Sequence, residues 1–264
     1  MSQDQANAVL VIEDSKVQAK IISKQVLALT NFSTQVARTM TEASHALENT
    51  SKEFFAAVVD LNLPDAPDGE AVDLVLGYDV PAVVLTASFN DEIRQQFIKK
   101  KVADYFFKGT IKDMDPMVTS LERLSRNRFI KVLVVDDMKT DRTIIKKLLH
   151  IQRYQVLEAA NGVQALETFA DNPDISIVIT DYQMPEMDGF ELTKALREER
   201  KKDSLAVIGV SSAQSGPLTA QFLKNGANDF INKPFEVEEF TWRVNRTAEM
   251  LEIVAELKAC QEQL

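Results

Sequence analysis

Short runs of Val, Ile, Leu and Ala recur along the chain, and each run ends in acidic, hydroxyl or lysine side chains. Between the runs, apolar residues fall at helical spacing, as Val17, Ile22 and Val26 do after the first run. The runs are continuous rather than alternating, which is typical of strands buried on both faces. Alternation of such strands with amphipathic helices predicts an α/β fold, in which helices cover both faces of a parallel sheet.

Four segments of this pattern occur twice in the same order, and the two copies of each lie 121 to 125 residues apart. The pairs of segments are 8–15 with 131–138, 56–64 with 177–185, 81–88 with 205–213, and 103–109 with 228–234. The repeated order and spacing indicate a tandem duplication of a unit of about 120 residues. We therefore predict one domain over 6–126, a second over 129–249, and a helical segment over 250–264.

Polar side chains follow the carboxyl ends of the predicted strands, where open parallel sheets bind their ligands. The first unit should bring together Glu13, Asp14, Asp60, Thr86 and Lys108, and the second should bring together Asp136, Asp137, Asp181, Ser211 and Lys233. Three neighbouring carboxylates suit a hard divalent cation. The lysine and the hydroxyl suit a tetrahedral anion, so one carboxylate could accept a phosphoryl group as an acyl phosphate.

Composition narrows the class of protein. The 264 residues carry 30 Lys and Arg against 40 Asp and Glu, a net charge of −10, which argues against nucleic-acid or anionic-membrane partners. The single cysteine, Cys260, excludes an internal disulfide and a cysteine-rich zinc site. With no signal-peptide pattern and no apolar run of about 18 residues, we expect a cytoplasmic protein.

The second unit contains the segments DD, TDYQMPEMDG, VSS and INKPF, and its acid pair, Asp, Ser and Lys are separated by 44, 30 and 22 residues. With these motifs the chain resembles, over nearly all of 9–244, two receiver domains of two-component response regulators. The resemblance implies two flavodoxin-like, doubly wound, five-stranded parallel sheets in tandem. It further implies that a histidine kinase or a histidine phosphotransfer protein phosphorylates Asp181.

The resemblance also assigns the other residues of the second site. Asp136, Asp137, Asp181 and the backbone carbonyl of Gln183 would hold Mg²⁺. Ser211 and Lys233 would bind the phosphoryl oxygens, and Phe230 would occupy the position of the switch aromatic.

The first unit fills the same positions with some departures. Asp60 would be the phosphoacceptor, Thr86 and Lys108 would bind the phosphoryl oxygens, and Tyr105 would be the switch aromatic. The implied Mg²⁺ ligands are Glu13, Asp14, Asp60 and Asn62. Only 26 residues separate Asp60 from Thr86, so the intervening helix and loop must be shorter. Gly69 comes nine residues after Asp60 rather than eight, and Gly109 replaces the proline that usually follows the lysine with a cis bond.

The last helix should present Val237, Phe240, Val244 and Leu251 to the core of the second unit. A second apolar stripe then follows with spacings of 3, 4, 3 and 4 residues, at Met250, Ile253, Leu257, Cys260 and Leu264. This stripe fits either the beginning of a coiled coil or a protruding helix end. The exit helix resembles those of tandem receivers that precede GGDEF diguanylate cyclase domains, which implies a C-terminal output domain and a possible homodimer.

We interpret the chain as a Mg²⁺-dependent response regulator in which phosphorylation changes domain packing or dimerisation. Self-phosphorylation and autodephosphorylation would be its only chemistry, so we expect no enzyme activity on an external substrate. One alternative is an interaction scaffold with a silent receiver. Another is a Mg²⁺-dependent phosphohydrolase, although Asn62 and Gln183 stand where such enzymes usually have a second acid. A dinucleotide-binding fold is disfavoured, because neither first strand is followed by G-x-G-x-x-G.

Overall fold

The computed structural model describes residues 7–49, 53–87, 90–108, 114–212 and 216–262. The chain forms two compact units, unit 1 (Met1–Arg126) and unit 2 (Asn127–Leu264). Within its described residues each unit alternates strands with helices, as the hydrophobic pattern predicts.

The elements of unit 1 are β1 (Ala8–Ile12), α1 (Lys16–Leu29), β2 (Ser33–Ala37), α2 (Met40–Asn49), β3 (Phe54–Asp60), α3 (Glu70–Gly77), β4 (Ala82–Thr86), α4 (Asp91–Lys100), β5 (Asp104–Phe107) and α5 (Asp115–Asn127). The elements of unit 2 are β6 (Lys131–Val135), α6 (Lys139–Ile151), β7 (Gln155–Ala159), α7 (Gly162–Asp171), β8 (Ile175–Asp181), α8 (Gly189–Glu199), β9 (Ala206–Ser211), α9 (Gly216–Lys224), β10 (Asp229–Asn232) and α10 (Val237–Glu262).

Each unit has one five-stranded sheet in which all pairings are parallel. The strand orders are β2-β1-β3-β4-β5 and β10-β9-β8-β6-β7. Both are the doubly wound, flavodoxin-like order, which confirms the predicted fold. The strand order reverses direction between β1 and β3 in unit 1 and between β6 and β8 in unit 2. Sheets of this kind bind ligands beyond the carboxyl ends of the strands at this point.

Burial explains the continuous apolar runs. Every residue of β1, β3, β4 and β9 is buried, whereas the edge strand β2 has an exposed or half-exposed side chain at most of its positions. Helices contribute further buried residues, such as Ile22 and Val26 of α1. Val17 precedes Ile22 by five residues, or about 140° around the helix, so it faces solvent despite its apolar character.

Helix α10 continues without a break beyond residue 250. Phe240 and Val244 are buried and Leu251 packs against the same core, as predicted, whereas Val237 at the start of the helix is only half-buried. Exposed Met250, Ile253 and Leu257 form the outer stripe of the helix. Exposed Cys260 continues this stripe, while Leu264 lies outside the described residues.

None of the helices in the described part of the chain combines the length and the apolar character that crossing a bilayer requires.

Candidate functional sites

In each sheet the backbone hydrogen bonds continue one residue past the ends of some strands. These bonds hold in place the backbone of the site residues that directly follow the strands. In unit 1 the Glu13 N–H donates to the Ala37 carbonyl at 3.0 Å, and the Lys108 N–H donates to the Thr86 carbonyl at 2.8 Å. In unit 2 the Lys233 N–H donates to the Ser211 carbonyl at 2.8 Å. The predicted site residues therefore leave the strands at one edge of each sheet.

A lysine and two buried carboxylates form the centre of the unit 1 site. Lys108 Nζ lies 2.9 Å from Glu13 Oε2 and 2.6 Å from Asp60 Oδ2. Glu13 and Asp60 are only 1% and 5% exposed. The second oxygen of each carboxylate accepts a backbone N–H, from Ser15 to Glu13 at 3.2 Å and from Asn62 to Asp60 at 3.1 Å.

The acids of unit 1 could hold a divalent cation. One oxygen from each of Glu13, Asp14 and Asp60 can be chosen so that all lie within 4.8 Å of one another. No other group of three acidic, histidine or cysteine side chains in the described ranges approaches so closely. Burial raises the pKa of Glu13, although the hydrogen bond from Lys108 opposes this. Because these oxygen donors suit Mg²⁺ or Ca²⁺, the donor set fits the predicted metal.

Unit 2 has the same lysine-centred arrangement. Lys233 Nζ lies 2.7 Å from Asp136 Oδ2 and 3.0 Å from Asp181 Oδ1. The other oxygens again accept backbone N–H groups, from Met138 to Asp136 and from Gln183 to Asp181, both at 2.8 Å.

A further partner of Lys233 was missed from the sequence. Asp141, in the first turn of α6, accepts from Lys233 Nζ at 2.7 Å. It follows Asp137 by four residues, but Asp137 precedes α6, so helical spacing from the predicted acid pair does not identify it. Asp137 itself is exposed and does not join a cluster as close as that of unit 1.

The electrostatic balance in unit 2 favours an added cation. Burial raises the pKa of Asp181, and the charge of Asp136 adds to this effect while Lys233 opposes it. Burial alone would lower the pKa of Lys233, but the carboxylates of Asp136, Asp141 and Asp181 outweigh burial and raise it. Lys233 therefore remains charged, and three carboxyl groups surround this one ammonium.

These unit 2 residues line a cavity of about 790 Å³. Asp136, Asp137, Asp181, Gln183 and Lys233 all contribute to its wall, as predicted for one site. Ser211 is buried, and its neighbour Ser212, which the sequence did not single out, also lines the cavity. The Lys233–Pro234 peptide bond is cis. The bond from Lys108 to Gly109 lies outside the described residues.

The loops that follow β3 and β8 differ in the conformation and surroundings of their glycines, Gly69 and Gly189. Gly189 begins α8 so close to the strand end that a Cβ atom would lie 2.3 Å from the Asp181 carbonyl oxygen. Gly69 instead precedes α3 with a φ of +76°, which side-chain-bearing residues rarely adopt. Helix α3 has 8 residues and α8 has 11, so the predicted shortening between Asp60 and Thr86 includes the helix. The loop before the helix is not shortened, since Gly69 follows Asp60 by one residue more than Gly189 follows Asp181.

Both predicted switch aromatics pack against an aromatic residue of the preceding helix. The Phe230 ring lies 5.2 Å from that of Phe222, and the Tyr105 ring lies 5.1 Å from that of Phe97. Phe230 is buried, whereas Tyr105 is half-buried.

Comparison with known proteins identifies the class that this fold and these sites define. Residues 132–245 match the response regulator receiver domain family. A chemotaxis protein CheY homolog of Campylobacter jejuni is 42% identical over 107 residues, covering 40% of this chain and 82% of that protein. Two-component response regulator ORR11 of Oryza sativa is 40% identical over 103 residues, covering 39% of this chain and 70% of that protein.

Two solved structures match across both units. One is described as a two-component system response regulator/GGDEF domain protein, with a TM-score of 0.84 and 39% identity over 93% of this chain and 99% of that chain. Another of the same description has a TM-score of 0.83 with the same identity and coverage. The chain belongs to the response regulator receiver domain family of two-component signalling, and it contains two receiver folds in tandem.

Proposed function

We propose that the chain receives phosphoryl groups on Asp60 and Asp181 from a histidine kinase or a histidine phosphotransfer protein. One observation carries this proposal. In each unit the lysine that follows the last strand pairs with the acid that ends the third strand, at 2.6 Å for Lys108 and Asp60 and 3.0 Å for Lys233 and Asp181. The second oxygen of each acid accepts the backbone N–H two residues later.

This geometry suits an in-line phosphoryl transfer. A carboxylate oxygen of the aspartate forms the new O–P bond while the P–N bond to the donor histidine breaks, and the electron pair returns to the imidazole nitrogen. Lysine would neutralise charge on the transferred oxygens. Thr86 and Ser211 are placed at the ends of neighbouring strands and would donate a hydroxyl hydrogen bond to the same oxygens.

Mg²⁺ would be the metal in both units. Glu13, Asp14, Asp60 and the Asn62 carbonyl would hold it in unit 1, and Asp136, Asp137, Asp181 and the Gln183 carbonyl would hold it in unit 2. When bound, the ion would offset negative charge on the transferring group. The close approach of Glu13, Asp14 and Asp60 supports this proposal for unit 1.

Chemical trapping of the acyl phosphate tests the proposed acceptors. After incubation with Mg²⁺ and acetyl phosphate, borohydride would reduce each phosphorylated aspartate to homoserine. We expect peptide mass spectrometry to find homoserine at positions 60 and 181 and, with a chelator present, at neither. Modification at other aspartates, or at none, would contradict the proposal.

The output would pass through α10 to a C-terminal domain, for which a diguanylate cyclase is the best candidate. The two similar structures carry GGDEF in their descriptions, and α10 exposes Met250, Ile253 and Leu257 along one stripe. We expect beryllofluoride with Mg²⁺, which mimics the phosphoryl group, to increase self-association in sedimentation velocity. Leu257→Asp, at an exposed position, should abolish the increase. Unchanged association of the parent chain would favour a scaffold instead.

A further inference from the structure

All three N–H donors of the Lys233 ammonium are already engaged in unit 2. They face Asp136, Asp141 and Asp181 at distances of 2.7, 2.7 and 3.0 Å. A lysine ammonium has three donors and no acceptor. A tetrahedral anion on Asp181 can therefore gain Lys233 only if one of these carboxylates gives up its hydrogen bond.

Asp141 is the partner whose hydrogen bond with Lys233 is easiest to break. Asp136 and Asp181 end or follow strands and belong to the proposed metal set, whereas Asp141 lies on a helix. The Asp141 side chain is 26% exposed, compared with 2% for Asp136 and 12% for Asp181. Water can replace the lysine at an exposed carboxylate at smaller cost than at a buried one.

Unit 1 offers a natural comparison, because an uncharged residue stands at the corresponding place. Gln18 follows Asp14 by four residues, just as Asp141 follows Asp137. Lys108 donates to Glu13 and Asp60, and Gln18 is not among its partners in the described residues. Four acids, Asp136, Asp137, Asp141 and Asp181, line the cavity of unit 2, whereas three acids cluster in unit 1.

We infer that Asp141 is a positioning residue that competes with phosphoryl oxygens for Lys233. It thereby weakens the binding of phosphoryl-like anions in unit 2 relative to unit 1. This inference rests on the proposed function, since it assumes that an anion binds at Asp181. The affinity of each unit for such anions would then depend on the charge at one position of its first helix, which is Gln18 in α1 and Asp141 in α6.

Beryllofluoride binding to the full chain, followed by ¹⁹F nuclear magnetic resonance in saturating Mg²⁺, tests the inference. Asp60→Asn serves as the parent, so that only unit 2 binds. Adding Asp141→Asn should tighten binding about threefold to tenfold, as expected for releasing one charged hydrogen bond at a partly exposed site. Asp141→Glu, which keeps the charge, should bind like the parent. Far-UV circular dichroism checks that each variant is folded.

The mirror experiment uses Asp181→Asn as the parent, so that only unit 1 binds. Adding Gln18→Asp should weaken beryllofluoride binding by a similar factor. Mg²⁺ affinity without beryllofluoride, measured by calorimetry, should stay equal or fall slightly in Asp141→Asn, because a nearby negative charge is lost. A general tightening of the site would raise both affinities and would contradict competition for Lys233.

The outcomes separate the inference from the function on which it rests. If the parent binds beryllofluoride and Asp141→Asn binds equally or more weakly, the inference is wrong and the proposed function stands. If neither parent binds beryllofluoride, the proposed function fails and the inference fails with it.

Discussion

Lys108 Nζ lies 2.9 Å from Oε2 of Glu13, a residue 95 positions earlier in the chain. The Glu13 side chain is almost fully buried, and a buried carboxylate is stable only when it is paired. Since Lys108 also pairs with Asp60, one ammonium holds the ends of three strands together. The contact therefore has a structural role as well as the proposed chemical one.

Lys108→Met should destabilise unit 1 in the absence of divalent cations by about 3 kcal/mol, because two buried carboxylates lose their counter-charge. Mg²⁺ should restore part of the loss. Hydrogen-exchange mass spectrometry on peptides from β1 and β3 measures the effect in unit 1 alone. Lys100→Met is the matched control, since Lys100 pairs with the exposed carboxylate of Asp73 and should cost less than about 1 kcal/mol. Equal effects of the two variants would argue against the structural role of Lys108.

Gly209 allows the Phe230 ring to lie inside unit 2. A Cβ atom at Gly209 would lie 2.8 Å from ring atoms of both Phe222 and Phe230. Gly209→Ala should therefore lower the free energy of unfolding of unit 2 by about 1–3 kcal/mol. Gly77→Ala, which meets no atom within 4 Å at the end of a helix, should be neutral or stabilising. Urea denaturation of both variants measures the difference, and a neutral Gly209→Ala would mean that the rings can move apart freely.

Asn127 anchors a buried polar network in unit 2. Its side-chain amide donates to the Gln152 carbonyl at 2.9 Å and to Asn245 Oδ1 at 3.1 Å. Asn127→Ala should cost about 1–3 kcal/mol in unfolding free energy, because the backbone carbonyl of buried Gln152 and the Oδ1 of half-buried Asn245 each lose a donor. Asn225→Ala, at an exposed position that bonds to the Gln221 carbonyl, should cost less. Urea denaturation compares them, and a smaller loss for Asn127→Ala would show that the network adds little.

Asp104 should make the stability of unit 1 depend on pH. Burial raises the pKa of its carboxyl group, although hydrogen bonds from Ser120 and the Tyr105 N–H oppose this. An acid with a raised pKa in the folded state stabilises that state when protonated. This contribution is lost as pH rises from the unfolded-state pKa through the folded-state pKa. Asp104→Asn should therefore increase stability near pH 7, and the gain should vanish near pH 3.

Asp229 of unit 2 differs from Asp104 because its carboxylate is paired with an arginine. Arg243 donates to both of its carboxylate oxygens at 3.0 Å, so Asp229→Asn should lower stability near pH 7. Thermal unfolding at several pH values compares each variant with the parent chain. A gain from both substitutions, or from neither, would contradict the assignment of opposite environments to these two acids.

Periodicity predicted most of the fold, because strands buried on both faces leave an unmistakable continuous apolar run. The repeat predicted the strand-end residues Lys108 and Lys233, since parallel strands bring their carboxyl ends to one edge. Asp141 escaped prediction because its role depends on how far the lysine side chain reaches. The exposure of Asp137 and the burial of Phe230 likewise depend on packing that spacing alone does not encode.

Intact mass spectrometry after incubation with Mg²⁺ and acetyl phosphate tests the central claim most directly. The parent chain should gain two phosphoryl groups, Asp60→Asn and Asp181→Asn should gain one each, and the double variant should gain none. If Asp141 competes for Lys233 as inferred, the phosphoryl group in Asp181→Asn should form at a lower concentration of acetyl phosphate than the one in Asp60→Asn. Two additions to the double variant, or no addition to the parent chain, would contradict the account of two working phosphoacceptors.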